Sequence, residues 1–244
     1  MLAYERTGTG HPLVLIHGFL GSANVFADVL PALQKHFDVI AIELPGHGNS
    51  AVEQDAYTVY SYAEEIARVL EKEQVTHTHV LGHSLGGYIA LAAYEKNILP
   101  IHKIVLAYTS EKADGDEAKE KRTKQQQQIR DEGVDAYVDS LIENFFAPNT
   151  DAAIIEKGRV EAKRAQAEGL IKALDAMKAR PDQTELLPTI DVPVLVIEGS
   201  EDGVVKPIET DNPQFEKATT TTGHLGMIED ADAFSDAVIA FLQK

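Results

Sequence analysis

The residues Gly82-His83-Ser84-Leu85-Gly86-Gly87 set one hydroxyl between glycines placed two positions to either side. Residues 79–81 before them read as a strand, and Tyr88, Ile89, Leu91 and Ala92 after them as the buried face of a helix. A serine on a sharp strand-to-helix turn is presented as a nucleophile, and so strained a turn tolerates only tiny neighbours. Gly82 and Gly86 meet that need, and Gly87 is expected to let the helix pack close to the strand. The Leu85 N–H stands at the helix N-terminus, where partial positive charge favours a developing oxyanion. A second donor must come from a loop passing beside the serine. His17-Gly18-Phe19-Leu20-Gly21 follows the buried run 13–16 and offers the Phe19 N–H, with Gly18 giving the loop freedom to turn. These groups suit acyl transfer through a covalent serine intermediate.

Holding such a serine in place calls for a parallel sheet covered by helices, and short β-rich runs alternate with amphipathic stretches along the chain. Residues 2–6 read as an edge strand, and 13–16, 38–42, 79–81, 104–107 and 194–197 as further strands. Residues 22–35 read as a helix, with Val25, Val29 and Leu33 four apart. Thr58 is a cap for a helix to residue 73, with Tyr62, Ile66, Val69 and Leu70 on one face. A helix follows Ser84 to about residue 96. Residues 231–242 form a last helix with Phe234, Val238, Phe241 and Leu242 as its apolar stripe.

Between residues 110 and 187 the strand signals vanish. This stretch holds 13 basic and 17 acidic residues, a net charge of −4 against −13 for the rest, and Gly133, Pro148-Asn149, Gly169 and Pro181-Asp182 punctuate it. The expectation is a core of residues 1–109 and 188–244 carrying an inserted helical cap, 110–187. An insertion here emerges at the carboxyl ends of the strands, where open α/β sheets bind ligands. Leu141, Phe145, Phe146, Leu174 and Met177 are its apolar candidates for the pocket. Phe146 and Met177 are assigned to substrate binding, Met177 for its adaptable side chain.

Composition narrows the chemistry further. Hydrophobic residues make up 44% of the 244, enough for a packed core without disulfides or metals. The chain has no cysteine, which excludes a thiol nucleophile and thiolate metal sites. No metal-ligand spacing stands out along the sequence, and Gly8-Thr9-Gly10 lacks the rest of a dinucleotide fingerprint. A net charge of −17 argues against nucleic acid or an anionic membrane as partner. No run approaches the ~18 apolar residues of a membrane span. The first 20 residues carry no secretory pattern, so a cytoplasmic location is expected.

His17-Gly18, Pro45-Gly46-His47-Gly48-Asn49-Ser50, the turn around Ser84, and Gly223-His224 together resemble the α/β-hydrolase superfamily across nearly the whole chain. Small capped bacterial esterases and carbon–carbon-bond hydrolases are most similar, down to the phrase Ala176-Met177-Lys178-Ala179-Arg180-Pro181-Asp182. The resemblance implies a mostly parallel central sheet flanked by helices and a nucleophile–acid–histidine order along the chain. That order makes His224 the base, because His102, the other histidine after Ser84, precedes every credible acid. It places the acid just after the strand at 194–197, where Asp202 fits the family's Gly-x-x-Asp and Glu201, Glu198 and Asp191 are rivals. Glu43 departs from the aspartate usual before Leu-Pro-Gly, a position that organises structure. His17 is expected to be structural, and His47 and His83 to edge the site.

The implied activity is a cofactor-independent carboxylesterase for small to medium acyl esters, with Ser84, Asp202 and His224 as triad. A thioesterase, a carbon–carbon hydrolase or a perhydrolase would use the same triad. A small-molecule-binding protein with an idle triad is the reading from a different class.

Overall fold

A computed structural model describes all 244 residues. Seven strands form one sheet: β1 (Tyr4–Gly8), β2 (His11–Ile16), β3 (Phe37–Ile42), β4 (Thr78–His83), β5 (Ile101–Ala107), β6 (Val194–Gly199) and β7 (Phe215–Thr220). They lie in the order β1-β3-β2-β4-β5-β6-β7. Only β1 runs antiparallel. Strand alternation divides the core. Val14 and Ile16 of β2 join Val80 and Ile104 in one apolar cluster, while Leu13 and Leu15 join Leu81 and Val105 in the other. Burial on both faces is why these strands read as continuous apolar runs.

One face is covered by α2 (Val59–Lys72) and α3 (Leu85–Glu95), the other by the short α1 (Leu30–Leu33) and α7 (Gly226–Glu229) and the terminal α8 (Ala231–Leu242). Helix α2 starts where the sequence places it. The Thr58 hydroxyl accepts from the Ser61 N–H, and the Ser61 hydroxyl accepts from the Thr58 N–H. This reciprocal pair satisfies two donors that a helix start leaves unpaired.

Two expectations change. The helix expected at 22–35 is broken into a 3₁₀ turn, Ala23–Phe26, and α1. Pro31 explains the break, because it has no N–H to give to the Ala27 carbonyl. Strand β7 was not legible, since Phe-Glu-Lys-Ala-Thr-Thr at an outer edge is mostly solvated and carries no apolar run.

Between β5 and β6 there is no strand. Helices α4 (Asp116–Leu141), α5 (Ala152–Ala162) and α6 (Ala167–Ala179) fill the interval, with 3₁₀ turns at Ile142–Phe145 and Thr184–Thr189. Gly133 interrupts α4 at φ 81° and ψ 174°, a conformation that glycine adopts without cost. Gly169 behaves otherwise. It lies inside α6 against the backbone of Gly46, so its role is close approach.

The tightest packing lies where β4 turns into α3. A side chain at Gly86 would overlap the Ile16 carbonyl oxygen, and one at Gly82 would overlap the Gly86 carbonyl. Gly86→Ala is therefore expected to cost roughly 1–3 kcal/mol, the usual penalty for overpacking. Thermal denaturation should show the melting temperature falling by about 2–4 °C for each kcal/mol. Gly203→Ala, whose new methyl would meet nothing within 4 Å, should leave it unmoved.

Candidate active site

Ser84 stands between β4 and α3 at φ 51° and ψ −113°. A non-glycine residue there is strained by about 1–3 kcal/mol, and such strain persists only where the surroundings enforce it. Here they do. The Ser84 N–H donates to the Ala107 carbonyl at 3.0 Å, and the Ser84 carbonyl accepts from the Thr109 hydroxyl at 2.7 Å. Gly87 leaves room for that same Thr109 side chain, so its smallness serves this brace more directly than general helix packing.

His224 arrives on the loop after β7. Its Nε2 lies 2.9 Å from Ser84 Oγ and its Nδ1 2.8 Å from Asp202 Oδ2. Asp202 follows β6, and its other oxygen accepts from the Val204 N–H at 2.7 Å. Burial alone would raise the Asp202 carboxyl. The hydrogen bond and charge attraction from His224, with the Val204 and Val205 N–H groups, outweigh it and hold the acid below its ordinary range. Asp202 therefore stays ionised and accepts the Nδ1 proton, which leaves Nε2 as the basic nitrogen facing Ser84. The rival carboxylates are engaged or distant: Glu198 pairs with Lys217, Asp191 accepts from the Tyr94 hydroxyl, and Glu201 is exposed.

The loop that carries His224 is pinned from several sides. The His224 N–H donates to the Phe145 carbonyl at 2.7 Å, and the His83 ring donates through Nε2 to the His224 carbonyl at 3.0 Å. The Glu229 carboxylate accepts from the N–H groups of Gly223 and Ala147 and from the Thr150 hydroxyl, so it ties this loop to the helical insertion. Thr109 and Glu229 were missed in the sequence because they hold backbone, a role no motif advertises.

Neither the Phe19 nor the Leu85 N–H donates to any group of the chain. Leu85 is the first residue of α3, where such a free donor is expected. Phe19 lies in the loop after β2, which is organised by His17. His17 accepts from the Leu44 N–H at Nε2 and donates from Nδ1 to the Gly18 carbonyl. Burial first, and the nearness of His47, keep His17 neutral, well below its ordinary range. Burial also lowers His47 to about 4 and His83 to about 3. Glu43 accepts from the Asn49 N–H at 2.7 Å and packs on Gly48, so it organises the neighbouring loop as its position implies.

A narrow cleft with about 20 Å³ of free space opens beside His224. Phe19, Leu20, Val25, Ile142, Phe145 and Leu225 give it apolar walls, and Glu161 is its one carboxylate. Phe146 and Met177 are not on this wall. The chain turns extended at Phe146 after the 3₁₀ turn, so Phe145 faces the cleft while the Phe146 ring packs on Gly158. Met177 is buried on α6 within the larger apolar cluster.

Residues 11–231 match the model of the α/β hydrolase fold. The chain belongs to the α/β-hydrolase family. A thermophilic esterase from Thermogutta terrifontis superposes with a TM-score of 0.93 at 30% identity, covering 99% of this chain and 93% of that one. The pimeloyl-[acyl-carrier protein] methyl ester esterase of Vibrio atlanticus (strain LGP32) is 26% identical over 264 residues, spanning 100% of this chain and 98% of that protein. The uncharacterized hydrolase YugF of Bacillus subtilis (strain 168) is 37% identical over 108 residues, 44% of this chain and 39% of that protein's length. No helix of this α/β hydrolase is long and apolar enough to cross a membrane.

Burial holds His17, His47 and His83 neutral, so none of the three should add a limb to the pH dependence of activity near neutrality. Asp202→Asn should lower kcat by two or more orders of magnitude, because an amide can stabilise the wrong tautomer. Steady-state kinetics across pH check both. A two-proton limb, or a silent Asp202→Asn beside a crippling Glu201→Gln, would point to a different relay.

Proposed function

We propose that this protein is a serine carboxylesterase acting on small to medium acyl esters through an acyl-enzyme on Ser84. One observation carries the reading: a continuous hydrogen-bonded relay from Asp202 through His224 to Ser84, with two unengaged N–H groups beside the serine. His224 Nε2 takes the Ser84 proton as Oγ attacks the acyl carbonyl. The negative charge then develops on the carbonyl oxygen, toward the N–H groups of Phe19 and Leu85, which cost no reorganisation at that moment. His224 returns its proton to the departing alkoxide. Water, deprotonated by the same nitrogen, then releases the acid.

The likeness to an esterase and to a methyl ester esterase favours ester cleavage over thioester or carbon–carbon cleavage by the same triad. The cleft favours the shorter acids, since its free space is only about 20 Å³ between apolar walls. In this reading residues 110–187 act as a cap. They place Ile142 and Phe145 over the acyl group while the sheet supplies the chemistry.

Nitrophenyl esters from acetate to octanoate, an acyl thioester and a vinylogous diketone separate the possibilities. Short and medium esters should turn over fastest. Ser84→Ala should lower kcat by about a thousandfold or more with the fold intact, as loss of a triad member does. Faster thioester or diketone cleavage would reassign the substrate class. More than about a tenth of wild-type turnover in a folded Ser84→Ala protein would remove the nucleophile assignment.

A further inference from the structure

The other end of the sheet carries a second constellation. His11 opens β2, His79 lies at the start of β4 and His102 at the start of β5, three strands that are neighbours in the sheet. One ring nitrogen from each lies within 4.8 Å of the others. His77 stands edge-on to His11, with ring centroids 4.9 Å apart. The His11 Nε2 and His79 Nδ1 atoms are buried and bond to no group of the chain. Buried ring nitrogens are ordinarily paired, so two orphans at one spot ask for a partner.

We propose that His11, His79 and His102 form a binding site for one divalent transition-metal ion of the zinc, nickel and copper class, with His77 or water completing the shell. Imidazole nitrogens select these ions over calcium or magnesium, which prefer oxygen. The site is separate from the hydrolytic centre. Ser84 lies five residues beyond His79 along nearly extended chain, roughly 17 Å at the rise of a strand. A metal here would tie together the amino-terminal ends of β2, β4 and β5 and take no part in acyl transfer.

The rings must turn to bind. His11 and His79 stack at 4.0 Å, and His79 and His102 at 5.3 Å. A tetrahedral ion with bonds of about 2.0–2.1 Å needs ligand nitrogens about 3.4 Å apart, with lone pairs converging. His79 is the buried, fixed member, whereas His102 is exposed and His11 half-buried, so these two can swing toward it. The nearby Lys103 opposes a cation, but its ammonium is drawn to the Phe241 and Leu242 carbonyls at the end of α8. Asp191 lines the same open depression as His11, His77 and His102 and offers compensating charge. No local spacing announces the site, because its ligands come from three separate strands.

Calorimetric titration of the full chain with zinc chloride, in a buffer that does not chelate it, is the test. The expected result is one zinc per chain at micromolar Kd and a melting temperature several degrees higher when saturated. His102→Gln and His11→Gln should each weaken binding at least tenfold while leaving metal-free ester turnover unchanged. His224→Ala should bind zinc as the wild type does. Binding weaker than about millimolar, binding indifferent to both substitutions at the cluster, or binding abolished by His224→Ala would each overturn the proposal.

Discussion

Everything at the site depends on one strained residue. Ser84 can hold φ 51° only because the backbone of the turn is wedged between β2 and β5. Gly86 touches the end of β2, Gly82 touches Gly86, and Thr109 fastens the Ser84 carbonyl from beyond β5. Strain of this kind is stable only when its neighbours cannot relax. The neighbours are central strands of a parallel sheet, buried on both faces. The same turn frees the Leu85 N–H at the start of α3, so the proposed nucleophile and the proposed anion donor arise from one backbone feature.

The other groups reach the serine on loops that leave neighbouring strands at their carboxyl ends: Phe19 after β2, Asp202 after β6 and His224 after β7. Loops are less rigid than strands, and the structure compensates with polar anchors. His17 shapes the Phe19 loop, Val204 and Val205 fix Asp202, and His83, Phe145 and Glu229 hold the chain at His224. Burial serves electrostatics here as well as packing. It keeps the supporting histidines neutral, while His224 alone among them has a carboxylate within hydrogen-bonding distance of its ring. Glu229 couples the helical insertion to the His224 loop, so the insertion that lines the cleft also braces the histidine facing Ser84.

Much of this was legible in the sequence, and the reasons are local. The glycines around Ser84, the capping residue Thr58 and the apolar runs of the inner strands each record a short-range demand on the backbone or the core. The meeting of Ser84, Asp202 and His224 followed from resemblance, since no spacing rule joins residues so far apart. Strand β7 was hidden because an edge strand needs little apolar surface. The sequence could not say how the insertion's apolar residues divide between cleft and core: Phe146 and Met177 are buried without lining the cleft beside His224. An apolar residue on a charged helix must be buried, but its pattern does not say whether a ligand or the core buries it. Phe145 lines the cleft, whereas the Phe146 ring packs behind its wall on Gly158. The histidines at 11, 79 and 102 gave no sequence signal, because the sheet alone brings them together.

The central claim is that the strained turn and the His224 relay make Ser84 a nucleophile unlike any other hydroxyl of the chain. A fluorophosphonate, which forms a stable bond only with an activated serine, reads this directly by intact mass and peptide mapping. One adduct per chain on Ser84, formed rapidly in the wild type and at least a hundredfold more slowly in His224→Ala, is the predicted result. No adduct, an adduct on another residue, or labelling of Ser84 at the same rate without His224 would contradict it.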